Sequence, residues 1–194
     1  SGENDDNGIS IGANAIALNS GTIRDPAGND ATLTHSLLSD NSSYKVDTTA
    51  PWANSFTMDD TELNIGDNAT VTLVFSELVI LFNSDDDITA DNGTLSTMTS
   101  SDNITWTGTF TPTDDIEDDN NTLSLATSYT DYSGNNGPAA QTANYEVDTR
   151  EPTVSSVEIT SATGKQNSLL NAGDNVSVTA TFSETVIVDN SSGN

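Results

Sequence analysis

The feature that most constrains this chain is that it repeats itself about once every hundred residues. Three pairs of segments match in order. Tyr44–Pro51 (YKVDTTAP) matches Tyr145–Pro152 (YEVDTREP), Leu63–Glu77 (LNIGDNATVTLVFSE) matches Leu170–Glu184 (LNAGDNVSVTATFSE), and Asp25–Asn29 (DPAGN) matches Asp131–Asn135 (DYSGN). The offsets are 101, 107 and 106 residues, a drift that loop-length variation absorbs. One repeat is therefore the size of one β-sandwich domain. The matches place a full repeat at residues 48–148, the end of a preceding one at 1–47 and the start of the next at 149–194. Both ends cut through repeats, so the chain reads as an excerpt from something longer.

Within the repeats the hydrophobic period is two. Ala69, Val71, Leu73 and Phe75 alternate with Thr70, Thr72 and Val74; Val176, Val178, Ala180 and Phe182 alternate with Ser177, Thr179, Thr181 and Ser183. Ile104, Trp106 and Phe110 alternate with a series of threonines. Period two with β-branched outer positions predicts half-buried antiparallel strands, and the Gly, Asn and Asp clusters between the runs predict turns. No segment sustains a helical period. The expected fold class is all-β: tandem antiparallel sandwiches, one complete and two partial.

Charge excludes several functions. The net charge is −26, from 30 acidic and 4 basic residues. Nucleic-acid binding rests on neutralising phosphates with Lys and Arg, and no basic patch exists to do it. An anionic membrane surface is disfavoured on the same ground, and no run approaches the length of a membrane helix, so no membrane insertion is expected. So much like charge repels itself in the compact state, and salt or bound cations must offset it. The acids are 22 Asp against 8 Glu. Asp suits both turns and compact oxygen cages for calcium; acidic adaptation to a salty habitat is the blander account. Cys is absent, so neither disulfides nor thiolates can staple the small domains, which leaves metal as the obvious staple.

The VDTxxP junctions, the GDx–alternating run–FSE segments and the DxxGN turns, three motifs in order and repeated, resemble the tandem bacterial Ig-like repeats of large secreted surface adhesins, of the RTX and biofilm-associated type. The flanking pieces (NGISIGANAIAL at 7–18, ITSATG at 159–164) are similar to a second subtype alternating with the middle one. The resemblance implies an Ig-like fold, an extender role outside the cell or on the bacterial surface, and calcium at domain junctions. It implies no catalysis.

In that topology the incoming linker, the end of the second strand and the last hairpin loop meet at the N-terminal end of the middle domain. Asp47, Glu77, Asp131 and Asn135 are then the expected metal ligands: three carboxylates and an amide oxygen, which backbone carbonyls complete toward the roughly six to eight oxygens calcium takes. Gly134 permits the turn that aims Asn135 inward. Asp148 and Glu184 repeat the first two parts for the last domain, and Asp25 and Asn29 repeat the third part for the first; these sets are incomplete. Two alternatives stay open: DxxGN also makes a hairpin turn without metal, and Glu77 also reads as a solvated strand end. The acidic runs Asp85–Asp87 and Asp114–Asp119 read as solvated loops, with a second calcium site as the lesser alternative.

Other residues carry less. His35 is the sole histidine and reads as a surface strand position; without Cys it makes no zinc site. Ser and Asp are too abundant here for a triad or a carboxylate pair to be informative, so no enzyme is expected. Trp106 falls on an inward face, and Trp52 follows the junction proline. The leading function is a structural extender whose partners are neighbouring Ig-like repeats of the same chain. The alternative is a calcium-dependent module gripping a surface polysaccharide or protein. Against sugar stacking, the variable stretch from Leu81 to Ser101 has neither Trp nor Tyr.

Overall fold

A computed structural model describes residues 4–189 and 191. In chain order the strands are β1 (Ile9–Ile11), β2 (Leu38–Asn41), β3 (Ala53–Met58), β4 (Glu62–Asn64), β5 (Ala69–Phe75), β6 (Ile88–Ala90), β7 (Gly93–Leu95), β8 (Thr105–Pro112), β9 (Glu117–Asn121), β10 (Leu123–Leu125), β11 (Ala140–Gln141), β12 (Tyr145–Asp148), β13 (Val154–Thr163) and β14 (Asn175–Phe182). Among the described residues one helical turn, α1 (Ser84–Asp87), interrupts them.

The middle repeat is a two-layer sandwich. One layer is the sheet β3-β5-β8-β7. The other combines β4-β12-β9 with β11-β10-β6. Alternation explains the layering: Ala69, Val71, Leu73 and Phe75 of β5 are all buried while Thr70 faces solvent. Their partners across the core are Leu63, Leu123, Leu125, Tyr145 and Val147 of the opposite layer. Each such side chain contributes about 1.5–3 kcal/mol by leaving water. Aromatic rings bridge the layers edge-on, with the Phe110 and Tyr145 centroids 5.1 Å apart. Trp106 lies half-buried against Phe82 at 4.9 Å, packed on the core as its inward position requires.

One pairing departs from the antiparallel expectation. β4 runs parallel to β12, with Leu63 opposite Val147. The cause lies between β3 and β4, where two aspartates bend the chain. Asp59 accepts a hydrogen bond from the Thr70 amide, and Asp60 accepts one from the Glu62 amide at 3.1 Å. The strand thereby leaves one sheet and joins the other, where the chain's long path round the domain lets β12 lie parallel to it.

Among the described residues the flanking pieces contribute no member to the core. β13 and β14 keep the register of the middle domain: Val154 faces Phe182 as Ala53 faces Phe75. Yet Phe182 is 36% exposed where Phe75 is 1%. Tyr44 is 64% exposed where its counterpart Tyr145 is 0%. The same side chain at the same repeat position is buried only where a second layer covers it. His35 lies outside the strands, contrary to expectation. Its Nε2 accepts the Ala15 amide at 3.0 Å, which fixes a loop instead. Among the described residues no helix is long and apolar enough to cross a membrane.

Candidate metal centre

Three chain segments meet at the first junction. The first is the turn Asp131–Asn135. Asp131 Oδ1 accepts the amides of Ser133 (2.8 Å) and Asn135 (2.9 Å), and its other oxygen accepts the Asn135 side-chain amide at 2.8 Å. The Asp131 and Asn135 backbones close the ring at 3.2 Å. Gly134 takes φ +85°, the left-handed conformation that glycine adopts without strain. Burial pulls the Asp131 carboxyl upward, but the hydrogen bonds from Asn135, Ser133 and Gly134 outweigh it and hold the pKa below its ordinary value. Asp131 is thus buried, 1% exposed, and ionised.

The second segment is the linker. Asp47 Oδ1 accepts the Thr49 amide at 3.0 Å, and Oδ2 accepts the Ser133 hydroxyl at 3.2 Å. The Asn135 side-chain nitrogen also donates to the carbonyls of Asp47 (3.2 Å) and Thr49 (3.3 Å). From the preceding piece, Asn4 accepts the Thr48 amide at 2.9 Å and donates to the Thr49 hydroxyl at 2.6 Å. The third segment is the tip of β5. Ser76 exchanges two hydrogen bonds with Trp52, which sets the next residue, Glu77, beside the linker.

One carboxylate oxygen each from Asp47, Glu77 and Asp131 lies within 4.8 Å of the others. Two oxygens on opposite sides of one calcium ion stand about 4.6–5.2 Å apart, so this spacing suits a shared ion of that size. Among the described residues no Lys, Arg or His nitrogen comes within 4 Å of these carboxylates; the ion pairs are Arg24–Asp30 and Arg150 with Asp115 and Glu117. Glu77 accepts no hydrogen bond among the described residues. Its pKa is raised, first by burial and then by the negative charges of Asp47 and Asp131. The set is a pocket of uncompensated negative charge with hard oxygen donors, which fits calcium and lacks the nitrogen and sulfur that zinc prefers.

The other expected ligands are arranged differently. Asn135 donates its amide nitrogen to Asp131 and to the linker carbonyls of Asp47 and Thr49, which ties the turn to the linker. The Asp25–Asn29 turn reproduces the same bonds, with Asn29 donating to Asp25 from backbone and side chain at 2.9 Å each. The Asn29 side chain heads the causes that lower the Asp25 pKa, so the turn forms on its own chemistry, but no group of three acidic ligands forms around it among the described residues. Asp148 and Glu184 line one cleft at the second junction together with Arg150. Glu184 Oε1 is buried there without a hydrogen-bond partner, and no third acid completes the set among the described residues.

The acidic runs stay apart. Asn83 caps α1, Asp85 accepts the Thr97 hydroxyl at 2.9 Å, and Asp87 is buried accepting the Asn83 amide at 2.8 Å. Asp115 and Glu117 face Arg150. Sequence reasoning missed the serine that fixes the strand tip, although its signal was present in the repeated Phe-Ser-Glu.

The family model for bacterial Ig-like domains matches residues 47–147, more than half of the chain. The chain belongs to the bacterial Ig-like domain family. None of the curated proteins and none of the solved structures matches it. The Ig-like match runs from Asp47, the first carboxylate of the candidate centre, to Val147, which pairs with the parallel strand β4.

Proposed function

We propose that this Ig-like chain is a structural extender segment of a bacterial cell-surface adhesin, held outside the cell and stiffened by calcium at its domain junction. One observation carries the reading: carboxylate oxygens from a linker, a strand tip and a hairpin loop lie within 4.8 Å, with no basic nitrogen within 4 Å of them among the described residues. A bound calcium ion would supply the missing positive charge and a bridge between these segments. The protein's own part is to present the oxygens. Asp131 is fixed by three donors, Asp47 by two, and Glu77 by the strand end. Tying the linker to the domain removes hinge freedom that adjacent domains otherwise keep. Pro51 and Pro152 limit the same joints by fixing φ. The abundant surface charge serves solubility at high local chain density. Nothing in this account needs a catalytic pocket, as is typical of Ig-like structural modules. Its partners are the neighbouring Ig-like repeats.

Small-angle scattering tests it. In about 10 mM calcium, well above the roughly 0.1–1 mM dissociation constants of extracellular calcium modules, the particle should show a longer maximum dimension and less flexibility than in chelator. Identical curves in both buffers would sink the extender reading.

A second reading keeps one supporting observation. Trp52 and Tyr132 stand 48% and 75% exposed, in the linker and in the Asp131 turn respectively. Such aromatic faces can stack on sugar. Reproducible calcium-dependent hits on a glycan array would favour a polysaccharide-binding module over a plain extender.

A further inference from the structure

We propose that Ser76 is a positioning residue for the cation site: it locks the linker to the strand tip before any ion arrives. The inference rests on the calcium reading above and adds the device that prepares the site.

The geometry is a two-bond ring. Ser76 Oγ accepts the Trp52 amide at 3.0 Å, and the Ser76 amide donates to the Trp52 carbonyl at 2.8 Å. Trp52 directly precedes β3, at the point where the chain has just left Pro51. The serine hydroxyl therefore extends the β3–β5 pairing by one step, beyond the register in which Ala53 faces Phe75. This last step joins the two ligand-bearing segments. Ser76 is bonded to Glu77 on one side, and Trp52 follows Asp47 by five residues on the other.

The second junction repeats the ring atom for atom. Ser183 Oγ accepts the Thr153 amide at 2.9 Å, and the Ser183 amide donates to the Thr153 carbonyl at 2.8 Å. Trp52 and Thr153 share no side-chain chemistry, so the serine reads the linker backbone alone. The ring also forms at the second junction, where Asp148 and Glu184 are the two acids lining the cleft and no third joins them among the described residues. It therefore does not depend on a complete set of carboxylates. A linker already held in place loses little freedom when an ion binds, whereas a loose one must be ordered at the expense of affinity.

Calorimetric calcium titrations of the full chain test this with Ser76→Ala, Ser76→Thr and Ser183→Ala. One neutral hydrogen bond corresponds to about a three- to tenfold change in an equilibrium constant. Ser76→Ala should weaken calcium binding by about that factor. Ser76→Thr keeps the oxygen and should return affinity to within about twofold of wild type. Ser183→Ala removes the same bond one junction away and should leave the affinity unchanged. A Ser76→Ala protein that melts lower without calcium but binds it as tightly as wild type would overturn the inference, reducing the serine to a fold contact. Absence of calcium binding by the wild type would overturn the inference together with the calcium reading.

Discussion

Replacing Asp131 with Ala should lower the stability of the middle domain by about 2–4 kcal/mol, and calcium should not restore it. The carboxylate is 1% exposed and accepts from Ser133, from the Asn135 amide and from the Asn135 side chain, at 2.8–2.9 Å. A hydrogen bond to a charged group is worth about 1.5–3 kcal/mol, and donors left buried without a partner cost more. Ser133 is exposed and re-solvates, which keeps the total below the sum of three bonds. Losing Asp131 also frees Asn135, whose nitrogen braces the carbonyls of Asp47 and Thr49. The linker should therefore loosen even in chelator. Denaturant melts read the stability, and limited proteolysis near Thr49 reads the linker. Asp131→Asn keeps one oxygen for the two backbone amides but turns an NH2 toward the Asn135 nitrogen. It should fall between wild type and Ala in stability while losing the calcium response as fully as Ala. An Asp131→Ala protein that is destabilised only when calcium is present would contradict this account, because the turn would then owe nothing to its own hydrogen bonds.

Much of this arrangement was legible in the chain because the chain says it twice. The alternation of Ala69, Val71, Leu73 and Phe75 matches their burial residue by residue. The order of linker, strand end and hairpin loop in an Ig-like sandwich brings Asp47, Glu77 and Asp131 to one end, and their oxygens do lie together there. What escaped reading depends on three-dimensional context. Period two gives a strand its inward face but not its cover, so Val178 holds the place of the buried Val71 and stands 61% exposed. Nothing in the run from Ala53 to Asn64 announces that its second half changes sheets and lies parallel to β12, because that switch depends on where Asp59 and Asp60 find amides. An asparagine beside a carboxylate offers both an oxygen and a nitrogen, and Asp131 with the carbonyls of Asp47 and Thr49 engages the nitrogen. The repeated Phe-Ser-Glu marks Ser76 as a recurring residue but does not say what its hydroxyl bonds to. Its meaning lies in the amide of Trp52, 24 residues earlier.

Glu77→Gln should reverse its effect on stability between chelator and calcium. Of the three clustered carboxylates, Glu77 is the one that accepts no hydrogen bond among the described residues, and burial with the charges of Asp47 and Asp131 raises its pKa above the ordinary 4.5. A carboxyl with a raised folded-state pKa contributes stability that is full below the unfolded value and is lost as pH rises through the folded one. Asp131 has the opposite sign: its contribution is present above 3.8 and is lost as pH falls through its lowered folded value. Without calcium at neutral pH, wild type thus holds an ionised Glu77 against two neighbouring charges, and Gln relieves that repulsion. In chelator the Gln protein should melt higher at pH 7, and the difference should vanish below about 4.5, where Glu77 is protonated and resembles Gln. In calcium at 10 to 100 times the dissociation constant, wild type gains about 1.4–2.7 kcal/mol by mass action. For a domain of this size that is roughly 5–20 °C in Tm. Gln supplies no charge and should lose most of that gain, which puts wild type above it. Magnesium, which demands short octahedral bonds and dehydrates reluctantly, should leave the chelator order in place. Thermal scans of both proteins in chelator, magnesium and calcium at pH 4 and pH 7 suffice. If the order at pH 7 is the same in chelator and in calcium, Glu77 does not face an ion, and the shared-cation account of the junction fails with it.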